Sequence, residues 1–164
     1  MDPTICYLQL PLLLRSAQDI GTVSMPDLPL NGRGGVFLLN SGGPGETQPM
    51  VQIFMDKLKE EGFRRLMTEQ FKCYNDACVA AFLEGKTDVL LRELKKLSGL
   101  VLANFGPMIP SDYHNLWQKG IDTNAYYLKL CGSGGGGYIL GFAPDLEQAQ
   151  AELDPHRMDV VLRF

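Results

Sequence analysis

Lys129-Leu130-Cys131-Gly132-Ser133-Gly134-Gly135-Gly136-Gly137-Tyr138-Ile139-Leu140-Gly141-Phe142 sets five glycines in six residues between two apolar, β-prone stretches, 126–131 and 138–142. Glycine loses more conformational freedom on folding than any other residue. A run of it between strands therefore marks backbone that must take positive φ angles, or that a ligand approaches too closely for a Cβ. Successive N–H groups in such a turn form a concave anion site, and phosphate is the usual anion. The segment predicts a strand–loop–strand unit that cradles a phosphorylated ligand. A flexible glycine linker is the alternative, but linkers are rarely clamped between strands six residues apart.

Two nucleotide-binding motifs match in letters only. Gly132, Gly134 and Gly137 spell G-x-G-x-x-G, yet a dinucleotide fingerprint opens a helix directly after its loop, and here a strand follows. Gly85-Lys86-Thr87 looks like the end of a P-loop, but Ala80 stands where that motif needs glycine, and the residues before it read as helix.

Outward from the loop, the chain alternates strands with helices. Residues 1–34 read as extended and loop-rich, punctuated by Pro11, Pro26, Pro29 and the Gly32-Arg33-Gly34-Gly35 turn. Residues 36–40 are an apolar run of strand length. The turn Ser41-Gly42-Gly43-Pro44-Gly45-Glu46-Thr47 leads into a helix with Thr47 as cap, Val51, Phe54, Met55 and Leu58 on one face, and Gly62 as its end. Residues 64–83 and 88–104 predict two longer helices, the first striped by Met67, Phe71, Tyr74, Cys78 and Phe82, the second by Leu90, Leu94, Leu97 and Val101. Such stripes belong to a core before they belong to a cofactor site. Ser111 caps a short helix that Gly120 stops, a helix covers 145–153, and 158–164 forms a closing strand. Helices between strands, with an antiparallel pair about the glycine loop, predict a two-layer α+β sandwich.

The 164 residues suit one domain with a real core. Apolar content of 45% and charged content of 21% are those of an ordinary globular protein. A net charge of −4 argues against nucleic acid as a partner, and no apolar run approaches the ~20 residues of a membrane span. The N-terminus has no basic leader, and Gln9 and Pro11 interrupt its apolar stretch, which argues against a secretory signal. Cys6, Cys73, Cys78 and Cys131 are scattered, and neither His114 nor His156 completes a zinc-like spacing. Buried reduced thiols in a cytoplasmic protein are the expectation.

The element order and the loop resemble the C-terminal half of the GHMP kinases, the superfamily of galactokinase, homoserine kinase, mevalonate kinase and phosphomevalonate kinase. Its third motif is a G-[SA]-G-x-G-G loop after a strand, which residues 131–137 match. Mevalonate kinase is the most similar member: Asn40-Ser41, the stretch to Thr47 and then Val51 keep the spacing of its N-T pair, turn and second threonine. The turn is not basic here, as the family's often is. The resemblance implies a ferredoxin-like domain at 35–164, with 1–34 an extended remnant of the missing lobe or of the lobe junction. It implies transfer of the γ-phosphoryl group of ATP, with Mg²⁺, to a small-molecule alcohol. Gly132, Ser133, Gly134, Gly135, Gly136 and Gly137 would hold phosphate or substrate, Ser41 and Thr47 would line the acceptor pocket, and Asp2 would be the catalytic base. Asp2 stands where the family's H-G-x-x-S-G-[IV]-D segment places its aspartate.

The family's nucleotide-gripping segment, P-x-x-x-G-L-G-S-S-[AS], does not occur among these residues, nor do the side chains that would hold Mg²⁺. The expectation is a kinase lobe that is incomplete and inactive alone, needing an N-terminal lobe or self-association. An internal start, a separately expressed domain and half of a split enzyme are the three explanations. Two other readings stand beside it. One is a stand-alone binding or regulatory module for a small anionic metabolite, and the other an interaction domain with Tyr113 and Trp117 as exposed anchors.

Overall fold

The computed structural model describes residues 11–16, 18–28, 32–43 and 47–164. Asp2, and with it the assignment of a catalytic base, lies outside them. Within the stretch read as extended, β1 (Leu12–Leu14) and β2 (Ile20–Thr22) pair as an antiparallel hairpin. The main sheet is built from β3 (Gly35–Asn40), β4 (Tyr127–Leu130), β5 (Tyr138–Ala143) and β6 (Met158–Arg163). It is antiparallel throughout, in the order β4-β5-β3-β6. The helices are α1 (Thr47–Lys57), α2 (Glu61–Arg65), α3 (Lys72–Leu83), α4 (Thr87–Asn104), α5 (His114–Thr123) and α6 (Leu146–Leu153). Strand, helices, hairpin, helix, strand is the split β-α-β-β-α-β arrangement. The chain is an α+β sandwich.

The core explains the order. Phe37 and Leu39 project from β3 with no exposed surface, and Leu128 and Ile139 flank them on β4 and β5. They meet Trp117 of α5 and Leu146, Ala149 and Leu153 of α6. The Trp117 indole Nε1–H would be costly to bury without an acceptor. It donates to the Ser98 carbonyl at 3.1 Å and to Ser98 Oγ at 2.8 Å, which ties α5 to α4. Trp117 is 0% and Tyr113 3% exposed. Neither can anchor a partner, so the interaction-domain reading loses its anchors.

Four element boundaries differ from expectation, each for a local reason. The first helix ends at Lys57, and Gly62 belongs to α2, the start of the next helical run. That run is longer than read and contains a π-helical stretch, Leu66–Phe71, whose wider turn is closed by Lys72 N–H donating to the Met67 carbonyl. The extra residue rotates the apolar stripe: Phe63 and Met67 face the main core, whereas Cys78 and Ala81 face Leu90, Leu94 and Leu97 of α4. Ser111 opens a 3₁₀ turn, Ser111–Tyr113, and not the helix itself. Gly120 does not stop α5, which continues to Asn124 in the left-handed conformation (φ 58°). Gly120 is there because a Cβ would lie 2.4 Å from the Tyr126 ring. The helix read over 145–153 is α6, and Asp145 caps it: its Oδ1 accepts from the N–H groups of Glu147 (3.0 Å) and Gln148 (3.2 Å).

Opposite Gly141, the Phe37 ring fills the place of the missing side chain, and a Cβ there would lie 2.1 Å from Phe37 Cζ. Gly141→Ala is expected to cost about 1–3 kcal/mol, as overpacking does, read as a lower urea midpoint. Alkaline pH gives a second test. Burial pushes the Cys78 thiol up to about 11 and the Tyr126 phenol up to about 12. The unfolded chain therefore releases these protons at lower pH than the folded one. Where the unfolded state binds fewer protons, stability falls as pH rises. The melting temperature is expected to drop from about pH 9 upward, and Tyr126→Phe to flatten the part of that fall above about pH 10.

Candidate functional site

The loop between β4 and β5 is built from positive φ angles: Gly132 (64°), Gly134 (75°), Gly135 (77°), Gly136 (146°) and Gly137 (78°). Each left-handed position would strain an L-residue by roughly 1–2 kcal/mol, which is why five of these six residues are glycine. The loop is held from two sides. Gly135 N–H donates to the Met108 carbonyl at 2.6 Å. On the other side, the turn after β3 clasps Gly137: Ser41 N–H (2.8 Å) and Ser41 Oγ (2.9 Å) donate to its carbonyl, and its N–H donates to Gly43 at 2.7 Å. Asn40 Oδ1 accepts from Gly42 N–H at 2.9 Å, which shapes that turn, and Tyr113 donates its hydroxyl to the Asn40 carbonyl at 2.9 Å.

These bonds decide what the loop can offer. The N–H groups of Gly135 and Gly137 are occupied by the scaffold. Among the described residues, those of Gly132, Ser133, Gly134 and Gly136 have no acceptor. Among the described residues the Ser133 hydroxyl makes only a long 3.5 Å contact, to the Gly134 carbonyl. The Cys131 thiol beside the loop is half-buried, and burial pushes its pKa up, so it stays a neutral thiol and not a nucleophile.

Against the loop lies a cavity of about 460 Å³. Its polar lining comes from Thr47 at the first turn of α1, from Gly132 and Ser133 of the loop, and from Lys129. The rest is hydrocarbon and aromatic, with Phe54, Met67, Phe71, Phe105 and Met108 as its largest walls. The rings of Phe54 and Phe105 stack at 6.2 Å, and Phe71 leans on Phe105 at 5.9 Å. A larger hollow of about 570 Å³ lies on the other face of the sheet, between the β1–β2 hairpin and Val36, Leu140 and Phe142. Asn75 and Lys129 are its polar lining residues, and the glycine loop takes no part in it. Size alone does not make it the site.

The structure thus brings Thr47 and the loop residues Gly132 and Ser133 into one cavity. Ser41 has a different place: it is half-buried and its hydroxyl holds the loop. Three contributors escaped the sequence reading. Met108 supplies the carbonyl that pins Gly135, Phe105 joins the aromatic walls, and the π-helical stretch turns Met67 and Phe71 into the cavity. The helical spacing of Met67 and Phe71 was visible, but a stripe does not say whether it faces solid core or a hollow. Among the described residues, no three His, Cys, Asp or Glu side chains are grouped to hold a metal ion, and no helix is long and apolar enough to cross a membrane.

No protein-family model matches the chain, and no curated protein matches it by sequence. In fold it is similar to the crystal structure of a Lin0012 protein from Listeria innocua, with a TM-score of 0.64 at 16% identity. The match covers 87% of this chain and 43% of that one. The chain therefore spans less than half the length of the protein it matches, and at this identity the likeness concerns the fold.

The clasp orders the loop's glycines by importance. At Gly134 a Cβ would lie 2.5 Å from the Met108 carbonyl oxygen, whereas at Gly132 it would meet open space. Gly132→Ala is expected to cost about 1–2 kcal/mol from backbone strain alone. Gly134→Ala is expected to cost more and to break the Gly135–Met108 bond, read as faster hydrogen exchange at the Gly135 amide.

Proposed function

We propose that this chain is the acceptor-side lobe of an ATP-dependent phosphotransferase, similar to mevalonate kinase, acting on an alcohol. The observation that carries the proposal is the clasped glycine loop, of which Gly132 and Ser133, whose N–H groups have no acceptor among the described residues, line a cavity. Phosphoryl transfer needs little covalent chemistry from the protein and depends on positioning and on donors aimed at charge as it develops. Rigidly held N–H groups meet that need, and each is worth up to ~3–4 kcal/mol when it faces transition-state charge. The N–H groups of Gly132, Ser133, Gly134 and Gly136 are the available donors. The Ser133 and Thr47 hydroxyls would orient the acceptor oxygen.

The described residues fit a phosphoryl group and not a whole nucleotide or its Mg²⁺. No metal-ligating cluster is present among them, and the sequence carries no nucleotide-gripping segment. Those groups belong on this proposal to a second lobe, with Asp2 receiving the acceptor's proton. The second reading, a binding module for an anionic metabolite, is favoured by the fact that loop and cavity are both complete within this chain.

Amide NMR with inorganic phosphate tests the loop. Shifts are expected at Gly132, Ser133, Gly134 and Gly136 and not at the occupied amides of Gly135 and Gly137. Shifts confined to other parts of the chain would sink the cradle. Asp2→Asn then separates the readings. A kinase lobe, assayed with a nucleotide-binding lobe and MgATP, is expected to lose about 10²–10⁴ in turnover with phosphate shifts unchanged. Binding that needs neither ATP nor Asp2, with no turnover under any pairing, would favour the module.

A further inference from the structure

We infer that the ligand held at the glycine loop is amphipathic: an oxygen-bearing head at the loop and an apolar body seated in the adjoining cavity. The inference deepens the phosphotransfer reading and rests on it for the head group. A small polar alcohol would need polar walls to fix its hydroxyls. Here the polar lining is confined to Thr47, Lys129 and the loop residues Gly132 and Ser133, and the remaining walls are Phe54, Phe71 and Phe105 with apolar neighbours. A volume of about 460 Å³ falls in the range of pockets that enclose whole organic ligands, and such pockets are mostly apolar with few convergent polar groups.

Two further features suit an apolar occupant. The wall residues Met67 and Phe71 come from the π-helical stretch Leu66–Phe71, a departure from regular helix that recurs at functional sites. Methionine is also the side chain that adapts to an irregular apolar surface, and Met67 and Met108 both line the cavity. On the open side, α1 contributes Val51, which is 47% exposed although it lines the cavity. An apolar body entering past Val51 would cover it.

The test is a titration of the chain with n-alkyl phosphates from ethyl to octyl, followed by ¹³C-methyl NMR of methionine. Affinity is expected to rise about two- to fourfold per added methylene, the upper figure being full transfer of a CH₂ group out of water. The Met67 and Met108 methyls are expected to shift, while Met25, which lines the hollow on the opposite face, stays in place. Val51→Trp, at an exposed helical position, is expected to weaken octyl phosphate tenfold or more and inorganic phosphate less than twofold. Affinity independent of chain length, or shifts at Met25 without Met67 and Met108, would overturn the inference. The two readings fail separately. Octanol binding as tightly as octyl phosphate, with the same methyl shifts, supports the apolar seat and removes the phosphate cradle. Loop shifts with inorganic phosphate but no gain from the alkyl chain do the reverse.

Discussion

The pairing of β3 with two neighbours at once is the constraint on which the rest of the molecule depends. β5 lies antiparallel on one side and β6 on the other, so β3 is a central strand and must be apolar on both faces. Phe37 and Leu39 point into the main core, and Val36 points to the other face. A slip of one residue would exchange these faces and strand Phe37 away from the space above Gly141. The same register sets Asn40 opposite Tyr138, directly beside the end of the glycine loop. Asn40, Ser41 and Gly43 then reach the loop with no further chain to order. Core and site are two consequences of one strand register.

The loop itself carries no formal charge. On the proposed reading its capacity for an anion lies in backbone N–H groups that have no acceptor among the described residues, while bonds to Met108, Ser41 and Gly43 hold the loop still. Rigidity matters because donors that must reorganise to meet charge lose much of their effect. Lys129, from the edge strand β4, adds a cation to the lining of the cavity and of the hollow on the other face as well. It is a single flexible point charge and specifies little by itself.

Aromatic packing explains why a hollow exists beside so well-ordered a loop. Phe54, Phe63, Phe71 and Phe105 meet in edge, tilted and stacked contacts with centroids between 5.6 and 6.2 Å apart. Rings fixed against one another close the floor of the space without filling it. Phe54 reaches this cluster from α1, a helix none of whose residues is fully buried.

Much of this was legible in the residues taken in order. Short apolar runs marked β3 and β5, the 3.6-residue stripe marked α4, residues 145–153 read as the helix that α6 is, and the glycine run marked the turn that joins β4 to β5. Each is local: it depends on backbone preference, periodicity or a cap within one turn, and a linear pattern carries such information. The misread boundaries were places where a distant group prevailed over a local rule. Gly120 looked like a stop, but the Tyr126 ring needed its missing side chain. Likewise the stripe on the long helix was correct in composition and wrong in direction, because a single wider turn redirected half of it. What only the tertiary structure decided was the cavity, the Met108 clasp and the division of the loop's N–H groups into occupied and available. Those are properties of empty space and of partners far apart in the chain, and neither leaves a periodic trace in the sequence.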